Sequence, residues 1–121
     1  MSNETQTYGA VANISSLAEF DPWHFAMNQI YHAYILGCND GTKYYGHTNN
    51  LVERIKDHIK GRVYSTRNKQ PRLVYYEEFN LRSEVFKREM QFKNGKTRKK
   101  TIEKLIRSFP KAKCQGFNSH V

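Results

Sequence analysis

The stretch Tyr34-Ile35-Leu36-Gly37-Cys38-Asn39-Asp40-Gly41-Thr42-Lys43-Tyr44-Tyr45-Gly46 constrains this chain most. Two apolar, aromatic-rich runs flank Asn39-Asp40-Gly41, with glycine where a tight turn needs positive φ. The pattern predicts a β-hairpin, with Tyr31 to Leu36 as its first strand and Lys43 to His47 as its second. Loop length then decides which side chains can cooperate. A two-residue Asp40-Gly41 turn pairs Leu36 with Tyr45 and puts Tyr34 and Tyr44 on opposite faces. A three-residue Asn39-Asp40-Gly41 loop, a type I turn followed by a left-handed glycine, pairs Leu36 with Tyr44 and puts both tyrosines on one face. A site shared by the two phenols requires the second register, and that register is expected here.

The segments after the hairpin alternate in type. Asn50 to Lys60 reads as a helix, with Asn50 as its cap and Glu53 completing a capping-box pattern. Leu51, Ile55 and Ile59 form its buried stripe. Arg54 and His58, four residues apart, are expected along one edge of that stripe, at the boundary of core and solvent. Gly61 to Gln70 is a basic, polar loop. Arg72 to Phe79, rich in Val, Tyr and Phe, reads as a third strand. A second helix is expected from Leu81 or Ser83 to Asn94, stopped by Gly95. At 100° per residue, Leu81, Val85, Phe86, Met90 and Phe92 spread over a wide apolar arc, and Glu89 falls near its middle. A lone carboxylate on a core-facing surface is costly unless it is protonated, paired or bound to a metal. Thr97 to Phe109 reads as a third helix, with Thr97 as its cap and Ile102, Leu105, Ile106 and Phe109 facing the core. Lys100, Lys104 and Arg107 lie off that stripe, as a solvated face or a DNA-tracking one. The fold class is therefore α+β: a small three-stranded, mostly antiparallel sheet flanked by about three helices. Residues 30–109 form the domain. Residues 1–29 read as an N-terminal arm, poorly ordered or a short helix begun by Ser16 and Glu19 and stopped by Pro22. Residues 110–121 read as a tail.

Charge bears on partners. The first thirty residues hold Glu4, Glu19 and Asp21 and no Lys or Arg, so all 20 Lys and Arg lie beyond them, and the whole chain carries +9. A basic domain with aromatics among its cations suits a polyanion, because each phosphate contact releases counterions. Hydroxyls beside guanidiniums, as at Arg62, Thr66 and Arg67, suit phosphate-backbone contacts, and Lys43 and His47 extend the set. Gly46, without a side chain opposite Tyr34, is expected to leave room for a phosphate near the backbone. No apolar run approaches the ~20 residues of a membrane span, so no membrane role is expected. Met1 to Ala10 has no basic or apolar region of a secretory signal. Cys38 and Cys114 have no metal-ligand spacing, and reduced thiols in the cytoplasm are expected.

The hairpin and the helix after it resemble the GIY-YIG nuclease family. His32-Ala33-Tyr34 stands where the first triplet belongs and Tyr44-Tyr45-Gly46 where the second does. His32, Ala33 and Tyr45 depart from the family's pattern, whereas both tyrosines and the final glycine keep it. The resemblance runs from about Tyr31 to about Ile106. It is closest to the small stand-alone bacterial members, themselves similar to the nuclease domain of excision-repair incision proteins. It implies a DNA endonuclease. Tyr44 would be the general base for water, and Tyr34 would position that water or the scissile phosphate. Arg54 would donate to the phosphate oxygens, with His58 as phosphate contact or proton shuttle. Glu89 would hold one divalent cation, Mg²⁺ or Mn²⁺, with water and phosphate filling the other positions. All these side chains are then expected to converge in one cationic cleft.

Two other readings stand beside this one. A basic nucleic-acid-binding module without catalysis, acting with a partner, has the same charge pattern. A structural or interaction protein would share the hairpin by accident. His47 reads equally as a strand-end surface histidine and as a catalytic one. A protein partner or a second copy could dock on the N-terminal arm. Repair, restriction and mobile-element roles all fit, because a shared fold and active site do not fix biology.

Overall fold

The structure is a computed structural model and describes residues 29–119. The arm expected over residues 1–29, with its Ser16 cap and its docking role, lies outside the described residues apart from Gln29. Strands β1 (Tyr31–Gly37), β2 (Lys43–Thr48) and β3 (Arg72–Phe79) form one antiparallel sheet in the order β2-β1-β3. Around it stand α1 (Leu51–Ile59), α2 (Arg82–Lys93), α3 (Lys99–Ser108) and α4 (Ala112–Asn118). The α+β class and the antiparallel sheet are as expected; the fourth helix is an addition.

The hairpin takes the three-residue register. Cys38 N–H donates to Thr42 O at 3.0 Å, Gly41 N–H donates to Cys38 O at 3.0 Å, and Gly41 sits at φ +85°. Asp40 accepts from the Thr42 N–H at 3.0 Å and its hydroxyl at 2.5 Å, which stiffens the turn. Leu36 therefore opposes Tyr44, and Tyr34 opposes Gly46.

Strand β1 runs through the middle, so helices cover it on both sides. Ala33, Tyr34, Ile35 and Leu36 are consecutive and all buried, the pattern of a strand packed on two faces. On one face, Ala33, Ile35 and Tyr75 meet Val85 and Phe92 of α2 and Ile102 of α3. On the other, Tyr34, Leu36 and Leu73 meet Leu51 and Ile55 of α1 and Cys114 of α4. Two thin cores thus share one sheet, and each helix belongs to one of them.

Helix α1 has nine residues, too few to persist alone. Burial of Leu51 and Ile55, about 1.5–3 kcal/mol each, holds it to the sheet. Asn50 caps it as expected, its Oδ1 accepting from Glu53 N–H at 3.2 Å. The return arm of a capping box is not formed. Asn50 N–H donates to Thr48 Oγ1 at 3.0 Å, and Glu53 instead pairs with Lys56 at 3.2 Å. The hydroxyl two residues back reaches that donor first.

Three other boundaries differ from expectation. Thr97 does not cap α3, whose cap position is Arg98 with no side-chain bond; Thr97 N–H goes to Gln91 O and helps close α2. The apolar arc of α2 is narrower than its composition suggests, because Leu81 and Phe86 are exposed while Val85, Glu89 and Phe92 are buried. Residues 112–118 are helical rather than a tail. Cys114 is buried against the sheet, and Asn118 clamps strand β3: its Oδ1 accepts from Leu73 N–H at 2.7 Å and its Nδ2 donates to Leu73 O at 3.0 Å. Among the described residues no helix is long and apolar enough to cross a membrane.

Candidate active site

The sheet and α1 bring four of the expected residues together. Tyr34 projects from the central strand toward α1, where Arg54 and His58 lie one turn apart. The Tyr34 hydroxyl stands 2.9 Å from His58 Nε2, and Arg54 Nε–H donates to the same oxygen at 3.4 Å. Tyr44, two residues from Gly46 on the same face, sets its ring edge-to-face on His58 with centroids 4.8 Å apart, and 6.3 Å from the Tyr34 ring. The far nitrogen of His58, Nδ1, lies 2.8 Å from Thr66 Oγ1.

Three expectations are corrected by this packing. His58 is not at the boundary of core and solvent; it is fully buried, so it cannot touch a phosphate directly. Thr66 is also fully buried, and its hydroxyl serves His58 rather than nucleic acid. Gly46 leaves no room for a phosphate on this face, because the Tyr34 phenol fills it. A Cβ at position 46 would lie 2.6 Å from the Tyr34 oxygen. Glycine stands there because the ring beside it occupies the space.

Burial sets the protonation states. It lowers the His58 pKa to about 4, with the Arg54 charge acting in the same direction, so the imidazole is neutral at pH 7. A neutral imidazole exchanges one donor and one acceptor between Tyr34 and Thr66. Burial also pushes the Tyr34 phenol well above its ordinary range, against the lowering effect of its hydrogen bond from Arg54, and the hydroxyl keeps its proton. For Arg54 burial opposes the charge, but contact with Tyr34 and then with Tyr44 outweighs it and raises the pKa. The cluster is therefore a fixed cation framed by two phenols, with a neutral histidine behind.

Glu89 makes its direct contacts elsewhere. Helix α2 packs on the opposite face of the sheet, and Glu89 lies there, 6% exposed. His47, which opposes Ala33 and shares its face, places Nδ1 2.5 Å from Glu89 Oε1. The Lys93 ammonium pairs with the other carboxylate oxygen. The direct side-chain contacts therefore fall in two groups, Tyr34, Tyr44, Arg54 and His58 on one side of β2 and Glu89, His47 and Lys93 on the other, and β2 is an edge strand among the described residues. No hydrogen bond joins Glu89 to Tyr34, Tyr44, Arg54 or His58. The two sides still sense each other, since the Glu89 charge adds a small upward push to the Tyr34 pKa, behind burial and the nearer groups.

Sequence reading placed Glu89 on the buried side of its helix and left open that it is paired; the partner is Lys93, which i,i+4 spacing singles out. Lys93, Lys43 and Lys99 line one groove on the Glu89 side. Arg62 and Arg67 are exposed on the other side. Arg62 pairs with Asp57 at 3.2 Å, and Arg67 donates to Gly61 O at 3.2 Å with its guanidinium 5.8 Å above the exposed Tyr64 ring. Among the described residues no three His, Cys, Asp or Glu side chains gather. A cation held by Glu89 therefore has few protein donors. Glu89 and His47 are the two donors that adjoin there, and the Lys93 ammonium already meets the charge of the carboxylate.

Comparison with known proteins finds relatives of this chain. The chain is 35% identical over 75 residues to a UPF0213 protein of Pediococcus pentosaceus, covering 60% of this chain and 78% of that protein. It is 43% identical over 75 residues to a UPF0213 protein of Desulfotalea psychrophila, covering 59% of this chain and 68% of that one. The solution NMR structure of the UPF0213 protein BH0048 from Bacillus halodurans aligns with a TM-score of 0.42 at 30% identity, over 64% of this chain and 82% of that chain. Residues 30–103 match the model of the GIY-YIG catalytic domain, a span that holds both tyrosines, Arg54, His58 and Glu89, and the chain belongs to that family.

Proposed function

We propose that the protein is a divalent-metal-dependent DNA endonuclease that hydrolyses a phosphodiester through a tyrosine-activated water. The observation that carries this reading is the buried Tyr34–His58 pair, with Arg54 bonded to the same phenol and Tyr44 against the imidazole. Hydrolysis needs a base for water, neutralisation of the phosphorane-like charge and help for the leaving oxygen. A phenol of pKa near 10 is a poor base unless a cation stands beside it. Arg54, in contact with both phenols, donates its remaining N–H groups to the phosphate. Tyr44, half-buried rather than sealed, gives its own proton to bulk solvent and then takes the proton from water as the phenolate. Tyr34 is a positioning residue: its hydroxyl is committed to His58 and Arg54, which fixes the guanidinium. His58 holds Tyr34 in place and stays neutral, its two ring nitrogens engaged by Tyr34 and Thr66.

Glu89 would hold Mg²⁺ or Mn²⁺, which supplies charge neutralisation at the phosphate and the leaving oxygen. The DNA backbone would lie across the edge of β2, reaching Arg54 on one side and Glu89 on the other. Lys43, Lys93 and Lys99 would hold flanking phosphates, as would Arg62 and Arg67. The free thiols Cys38 and Cys114 suit the reducing cytoplasm.

The engagement of Glu89 by Lys93 and His47 favours a second reading, a basic nucleic-acid-binding module without turnover. Plasmid nicking with and without Mg²⁺ separates the two. Cleavage that needs metal, Glu89 and Tyr44 supports the nuclease. DNA binding without cleavage by the wild type supports the module.

A further inference from the structure

We infer that His47 is a second protein ligand of the Glu89 cation, making the site a mixed oxygen–nitrogen site that takes Mn²⁺ in preference to Mg²⁺. This rests on the metal-dependent reading above. His47 and Glu89 come from different elements, the edge strand and α2, and only the packing of α2 on the sheet brings them together. Nδ1 faces Oε1 at 2.5 Å, with the ring held edge-on by Phe86 at 6.0 Å between centroids. Adjacent ligands of an octahedral ion with bonds of about 2.1 Å stand about 3 Å apart, so a small rotation of either side chain opens the pair enough. His47 is the reachable donor, its side chain 27% exposed, whereas the Glu89 side chain is 8% exposed and opens only when Lys93 and His47 move aside.

Lys93 is the counter-charge the cation replaces. Its ammonium is on a flexible stem, 43% exposed, and joined to the carboxylate only through i,i+4 spacing. A buried carboxylate left unpaired is costly, so Lys93 stays until another cation arrives. Displaced, it swings into the groove shared with Lys43 and Lys99, where a phosphate can meet it. The imidazole then sets the preference among metals. Mg²⁺ demands near-ideal octahedral oxygen coordination and parts reluctantly with water, whereas Mn²⁺, which shares its liking for carboxylate and water, stands at the foot of the first-row series whose members bind nitrogen.

The test uses the full chain, MnCl2 and MgCl2, and NMR of the histidine rings. Substoichiometric Mn²⁺ should broaden the His47 ring signals before those of His32 and His58, and E89Q should abolish the effect. H47A should weaken Mn²⁺ binding, read by EPR of free Mn²⁺, by about tenfold, the lower end of what even an outer partner of a metal ligand costs. Mg²⁺ binding should change far less. K93M should tighten binding of both ions. Mn²⁺ binding that is lost in E89Q but unchanged in H47A overturns the His47 assignment and leaves the nuclease reading standing. Binding that neither variant alters overturns both. Should H47A fail to fold, the wild-type spectrum decides alone: a His47 ring no broader than that of His32 removes it as a ligand.

Discussion

The phenol oxygen of Tyr34 stands 2.9 Å from Nε2 of His58, and both side chains are sealed from solvent. Their contact joins the central strand to α1 and places Arg54, one turn back on the helix, over the same oxygen. Removing that oxygen strands two donors or acceptors at once. Tyr34→Phe should lower unfolding stability by about 1–3 kcal/mol, the cost of a buried polar group left unpaired. Tyr44→Phe should leave stability nearly unchanged and slow cleavage while sparing DNA affinity. Urea denaturation and nicking assays on the two variants check this; equal stability losses would mean the Tyr34 bond does not hold the helix.

Gly46→Ala should be as damaging as a change in the core. The new methyl would sit 2.6 Å from the Tyr34 oxygen and 2.7 Å from its Cζ, so the ring must move. Overpacking of this kind costs about 1–3 kcal/mol. A melting temperature equal to wild type would show that the ring has somewhere else to go.

Stability should fall as the solution is acidified from about pH 6.5 toward about pH 4. The His58 pKa is lowered to about 4 in the folded protein, below the unfolded value of 6.5. Between these values the unfolded chain binds the extra proton, so stability is full above the upper one and is lost toward the lower. His32 is shifted the same way, by burial against the pull of Glu78. His58→Gln should flatten the profile of urea midpoints between pH 7 and pH 4. Parallel profiles for the two proteins would remove His58 as the cause.

Arg54→Ala should reduce the cleavage rate about 100-fold or more, the loss typical of a donor to transition-state charge. Lys104→Ala, on an exposed turn of α3, should change rate little and affinity slightly. Single-turnover rates and filter-binding affinities compare them. The reverse ranking would place the DNA on the α3 surface.

Asn118→Ala should destabilise the protein by about 1–3 kcal/mol, although it lies at the far end of the chain from the hairpin. Its amide satisfies both the N–H and the carbonyl of Leu73. Chemical denaturation reads the loss directly, and an unchanged midpoint would mean that water replaces the amide at no cost.

The sequence showed some of this plainly. The hairpin register followed from loop length and a period of two, the Asn50 cap from its position, and the inward aim of Glu89 from helical period. Periodicity says which side of a helix is buried but not which side of a sheet receives it. The expectation that Glu89 and Arg54 share one cleft came from the resemblance, and periodicity could not show that α2 and α1 pack on opposite faces. The depth of His58 depends on Thr66, eight residues on in a loop, and no local pattern announces such a contact. Helix α4 offers only Cys114 and Phe117 as apolar contacts among lysine and glutamine, too weak a stripe to read without the sheet it covers.

The three-residue loop makes the hairpin a parity device. Adding or deleting one residue between Cys38 and Thr42 would exchange odd for even along β2, trading Tyr44 and Gly46 with Tyr45 and His47. Tyr45 would then crowd the Tyr34 side, and His47 would turn its back on Glu89. The letters at Asn39 and Asp40 can change without disturbing this arithmetic; their number cannot.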